Sequence, residues 1–92
     1  MKIKEDLITD WQMLMSGIKQ IAQKVPEFKV KVLPDKKIII NKYEVICHFI
    51  NNEYVEAKVS FKNEDYLSVR HVKSHASTVE TILTFIRNNP NP

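Results

Sequence analysis

The sequence predicts an α+β fold: a two-layer domain in which an antiparallel β-meander of four or five strands carries an N-terminal and a C-terminal helix on one face. Three observations predict it. Residues 4 to 24 repeat apolar side chains at helical spacing, and residues 28 to 73 sort into two faces with a period of two. A second helical stripe then closes the chain after Ser77.

In the first helix, Leu7, Trp11, Leu14, Ile18, Ile21 and Val25 recur at alternating steps of four and three, and Ile8, Met15 and Ala22 widen the stripe. Glu5, Asp6 and Asp10 stand near its start, where the helix dipole favours anions. Pro26 ends it, because the residue before a proline resists helical geometry. The stripe is broader than a coiled-coil seam, so packing on the sheet is expected over pairing with another helix. Gly17 sits mid-helix at a cost in propensity, for which the sequence offers only a close contact as a reason.

The strands follow. Phe28, Val30 and Val32 alternate with Lys29 and Lys31, and Pro34-Asp35-Lys36 reads as a turn. With that turn as a three-residue loop, Val32 faces Ile38 and Val30 faces Ile40. Residues 36 to 50 cannot be one regular strand. Ile38 and Ile40 share one parity, while Val45, Cys47 and Phe49 share the other. A tight turn at Asn41-Lys42 repairs the phase, as would a bulge; the turn is preferred because Asn tolerates a left-handed corner. It sets Ile38 opposite Val45 and Ile40 opposite Tyr43.

Asn51-Asn52-Glu53 is the next turn. It sets Phe49 opposite Val55, Cys47 opposite Ala57, Val45 opposite Val59 and Tyr43 opposite Phe61. Residues 62 to 65 are expected to be a polar loop, after which Leu67 and Val69 continue the inner face toward His71. Ser77 and Glu80 have capping-box spacing for the second helix, whose stripe is Val79, Ile82, Leu83 and Ile86 with Phe85 at its margin. Asn88 to Pro92 is a polar tail.

Ninety-two residues suit one domain, expected to span 1–92. An apolar fraction of 43% supports a core, and 27% charged residues with a single Gly indicate neither disorder nor low complexity. Cys47 is the sole cysteine, so no intrachain disulfide forms and a reducing compartment is expected. No signal-peptide pattern or membrane-length apolar run is present, so the expected location is the cytoplasm. The net charge of +3 permits an acidic partner without requiring one. No family's signature residues are recognisable.

The pairings above turn Lys29, Lys31, Lys37, Ile39, Glu44, Ile46, His48, Ile50, Tyr54, Glu56, Lys58, Ser60, Tyr66, Ser68, Arg70 and Val72 outward. Two function classes arise on this face. In the first, Ile46, Ile50, Tyr54 and Val72 form an apolar patch rimmed by Lys58, Arg70 and His48, as at protein contact sites. The chain is then a non-enzymatic interaction module, an accessory, adaptor or inhibitor protein. A mobile-element origin is an analogy only. A homodimer is the simplest assembly, since one self-complementary patch suffices. In the second, single-stranded nucleic acid lies on the face, with Tyr54 and Tyr66 stacking on bases and Lys29, Lys31, Lys37, Lys58 and Arg70 meeting phosphates. Glu44 and Glu56 on the same face oppose this second reading.

No catalytic or cofactor motif stands out. His71 and His75 have a spacing that holds zinc within one helix, but here they straddle a strand end and a helix start, so no metal site is expected. Cys47 and His71 face inward on strands separated by the one bearing Ala57, too far apart for a nucleophile and its base.

Overall fold

A computed structural model describes residues 2–71 and 74–92. It has helix α1 (Glu5–Gln23), strands β1 (Val30–Val32), β2 (Ile38–Ile40), β3 (Tyr43–Ile50), β4 (Tyr54–Phe61) and β5 (Glu64–Arg70), and helix α2 (His75–Asn88). The strands form one antiparallel sheet in the order β1-β2-β3-β4-β5, with both helices on one face. This is the α+β meander that the sequence predicts.

The inner registers follow the predicted pairings: Val30 with Ile40, Val32 with Ile38, Ile38 with Val45, Ile40 with Tyr43, and Val45, Cys47 and Phe49 with Val59, Ala57 and Val55. Ile38 is 1% exposed while its neighbour Ile39 is half-buried, so the parity of β2 is the expected one. Asn41 explains why a turn, and not a bulge, joins β2 to β3. It takes a left-handed corner with φ 57°. Its side-chain oxygen accepts from the Lys29 N–H at 2.8 Å, and its own N–H donates to the Lys29 carbonyl at 2.8 Å. The turn residue thus also fixes the approach to β1.

With one glycine in the chain, the left-handed corners fall to Lys36, Asn41, Asn51, Asn52, Lys62 and Asn63. Asn bears such corners because its short polar side chain bonds locally. Asn52 also accepts from the Lys4 N–H at 2.9 Å, which ties the β3–β4 turn to the entry of α1.

Three expectations need correction. The stretch from Lys62 to Asp65 is not a loop: Lys62 and Asn63 alone make the turn, both at positive φ, and Phe61 pairs with Glu64. Ser60 then pairs with Asp65 and Val59 with Leu67, so Tyr66 is the extra residue of a bulge. The second helix starts at His75, not near Ser77. Ser74 is its cap, accepting from the Ser77 N–H at 3.1 Å. The α1 stripe is also narrower than its spacing suggests. Leu7, Leu14, Met15, Ile18 and Ala22 are buried, whereas Ile21 is 44% exposed at the margin.

The core joins those α1 residues to Val79, Ile82, Leu83 and Ile86 of α2 and to the inner side chains of β2, β3 and β4. The helices run parallel, since Asp10 meets His75 and Gly17 approaches Val79. Trp11 donates its indole N–H to the Cys47 carbonyl at 2.8 Å. Cys47 lies two residues beyond the last β2–β3 pair, so α1 supplies the partner that the short strand β2 does not reach.

Candidate functional site

The outer face of the sheet is bare among the described residues, because α1 and α2 both pack on the other side. Its side chains form rows across the strands. Lys31, Ile39, Glu44, Ser60 and Asp65 make one row; Ile46, Lys58 and Ser68 the next; His48, Glu56 and Arg70 another; and Ile50 with Tyr54 the last.

Charges on this face are matched locally. The Lys37 ammonium is 3.5 Å from Glu44, and the Lys58 ammonium is 3.6 Å from Asp65 and 4.0 Å from Glu56. The Arg70 guanidinium lies over the Tyr54 ring, 4.1 Å from its centroid. Lys29 and Lys31 stand exposed at the β1 edge.

The apolar members are half-buried rather than open: Ile39, Ile46, Ile50 and Tyr54 all have intermediate exposure. They do not form the continuous patch expected. Ile46 and Ile50 are four residues apart on one strand, about 13 Å at ~3.3 Å per residue. The polar row of His48, Glu56 and Arg70 passes between them. Ile39 is diagonal to Ile46 across the β2–β3 pair, and Ile50 is paired directly with Tyr54. Val72 lies outside the described residues.

Tyr66 is misplaced by simple alternation. The bulge turns it to the helix side, where its ring meets the buried Tyr43 ring edge-on, centroids 6.0 Å apart. Tyr43 also packs on Phe85 and donates its hydroxyl to the Asn89 carbonyl. Tyr66 is therefore placed beside Tyr43 at the rim of the inner layer, 38% exposed, and not on the outer face where alternation put it. A one-residue bulge leaves no mark in composition, so the sequence carried no signal for it.

A second cluster was only half visible in the sequence, which singled out His71 and His75 but not Asp10. His71 and His75 do come together, their rings stacked with centroids 4.6 Å apart, and Asp10 of α1 joins them. The Asp10 carboxylate is 3.0 Å from His75 Nε2 and 3.9 Å from His71 Nε2. His71 Nδ1 lies 3.0 Å from the Thr78 hydroxyl. Burial lowers the pKa of His71, and the adjacent His75 acts in the same direction, while Asp10 opposes both.

Cys47 is set back in the core, away from solvent. It is buried, and burial alone pushes its thiol up to about 12. A buried thiol that far from ionisation is expected to resist a thiol-specific disulfide reagent at pH 8 in the native state and to react at once in denaturant. Release of the reagent's chromophore checks this; rapid native reaction would mean that β3 opens locally.

No helix among the described residues is long and apolar enough to cross a membrane. Comparison with protein-family models, with curated proteins and with solved structures returns no match, so function has to be argued from the chain's own residues.

Proposed function

We propose that this chain is a small, non-enzymatic, cytoplasmic interaction module that uses the bare outer face of its sheet, and that the occupant of that face is a second copy of the chain. The observation that supports this is the charge pattern. Lys37, Lys58 and Arg70 share the face with Glu44, Glu56 and Asp65, interleaved around half-buried Ile39, Ile46, Ile50 and Tyr54. A face that carries both signs can meet a second copy of itself across a two-fold axis without a wholesale clash of like charge.

Size is compatible with such a contact. Strands spaced ~4.8 Å apart and rising ~3.3 Å per residue give the face a footprint on the order of 500 Å². A standard interface takes about 800 Å² of accessible surface per partner, more than this projected footprint, so a dimer would need the whole face and its rim.

The same pattern weighs against nucleic acid. Lys37 and Lys58 already sit beside carboxylates, and a phosphate would have to displace these. Tyr66, one of the two expected stacking residues, is turned to Tyr43.

Light scattering after gel filtration, at low and at high salt with nucleic-acid absorbance monitored, tests the proposal. A particle of twice the chain mass that Ile46→Asp or Tyr54→Asp converts to a folded monomer is the expected result. A wild-type monomer at all concentrations tried would overturn it. A particle carrying nucleic acid that is lost at high salt, and lost in Lys29→Glu/Lys58→Glu, would put the basic face in its place.

A further inference from the structure

The cluster of Asp10, His71 and His75 stands apart from the outer face and from everything argued for it. It lies where α1, the chain just beyond β5 and the first residue of α2 meet, and its ligand atoms all fall within 4.8 Å of one another.

The hydrogen bonds assign the proton on His71. The Thr78 hydroxyl donates to the Ser74 carbonyl at 3.3 Å, so toward His71 Nδ1 it acts as an acceptor. Nδ1 therefore carries the ring proton of neutral His71, an assignment made from this network. Nε2 is left with a bare lone pair, 3.9 Å from a carboxylate oxygen of Asp10. Two electron-rich atoms at that distance are stabilised by a cation between them. His75 donates its Nε2–H to the same carboxylate oxygen at 3.0 Å, a proton that a bound ion would displace.

We propose that Asp10, His71 and His75 bind one divalent transition-metal ion of the zinc class. The donor set is two imidazole nitrogens and one carboxylate oxygen, which suits a borderline ion. A hard ion such as calcium would want six or more oxygens. Bonds of about 2.0–2.1 Å to a tetrahedral zinc place ligand atoms roughly 3.3 Å apart. Two of the three ligand separations, 3.0 and 3.9 Å, bracket that value and all lie within 4.8 Å, so closing the site requires the stacked imidazoles to turn until their Nε2 atoms converge. Thr78 orients His71 from behind, as outer hydrogen-bond partners of metal-bound histidines do. A fourth position is left for water on the side where Asp10 and His75 reach solvent. The three ligands come from three elements, so the ion would clip both helices to the exit of β5 and stabilise the folded chain by mass action.

Titration of the purified protein with cobalt(II), followed by zinc(II), tests this. One cobalt per chain, with the visible absorption of a low-coordinate site, is expected at micromolar concentrations, and zinc displaces it. Zinc also shifts the ring resonances of His71 and His75 in a nitrogen–proton correlation spectrum and raises the unfolding temperature, an effect reversed by chelator. Asp10→Asn and His75→Gln, both at partly exposed positions, lower the affinity at least tenfold while circular dichroism stays native. Thr78→Val lowers it roughly 10- to 100-fold. Absence of saturable binding by the wild-type chain, or binding that neither Asp10→Asn nor His75→Gln weakens, would overturn the assignment.

Discussion

Ile18→Ala is expected to destabilise the fold by about 2–5 kcal/mol, a large fraction of the stability of a chain of this size. Ile18 is fully buried on the face of α1 that meets the core. Truncating it removes apolar area and leaves a cavity that α2 and the sheet cannot both close, because each is fixed by its own contacts. Domains hold about 0.05–0.15 kcal/mol per residue, which for this chain is roughly 5–14 kcal/mol. Ile8→Ala on the same helix is the comparison. Ile8 is 37% exposed, and its truncation should change stability by about 0.5 kcal/mol or less. Urea denaturation of the two variants measures the difference. Equal effects would mean that α1 does not present this face to the core.

The contrast between Ile18 and Ile8 shows how far periodicity alone reaches. Spacing identified α1 and the broad side it buries, but a nine-member stripe is wider than the face the sheet and α2 can cover. Which margin is left out depends on where α2 lies, and that is a long-range fact. The sheet was more legible. The parity conflict between Ile38 and Val45 required the chain to turn or bulge at Asn41, and the turn won because Asn41 also bonds Lys29 across β1. From there each inner pair up to Phe49–Val55 followed by counting. Counting failed at β5, where the bulge shifted Tyr66 from one face to the other.

The two candidate sites differ in the same way. The outer face was readable because strand alternation is local. The polar row that splits its apolar residues is a matter of register across three strands, and it becomes evident only when rows are followed sheet-wide. The Asp10–His71–His75 cluster depends on α1 and α2 running parallel with Asp10 beside His75, 65 residues away. Nothing in the spacing of either helix encodes their relative direction. The helix start also matters: with Ser74 as the cap, His75 is held in the first turn of α2, whereas a start near Ser77 would leave it in a loop.

Gly17→Val should cost about 1–3 kcal/mol, and a second substitution should show where the cost arises. A Cβ at Gly17 would lie 3.3 Å from Val79 Cγ2, so the one glycine of the chain marks a close approach of the parallel helices. Alanine would gain about 1 kcal/mol of helix propensity there, set against a contact that Val79 must relieve by a few tenths of an ångström. Those two effects nearly cancel. Valine adds two methyl groups to the same Cβ, and in a helix its side chain is held to one rotamer, so it cannot swing clear. Val79 is itself buried and has little room to give. Val79→Ala removes the opposing methyls and should recover part of the loss, so that the double variant is more stable than the sum of the single changes by about 0.5–3 kcal/mol. Urea denaturation of the four proteins closes the cycle. Strict additivity would show that the valine is resisted by something other than Val79, and that the glycine does not serve the approach of the helices.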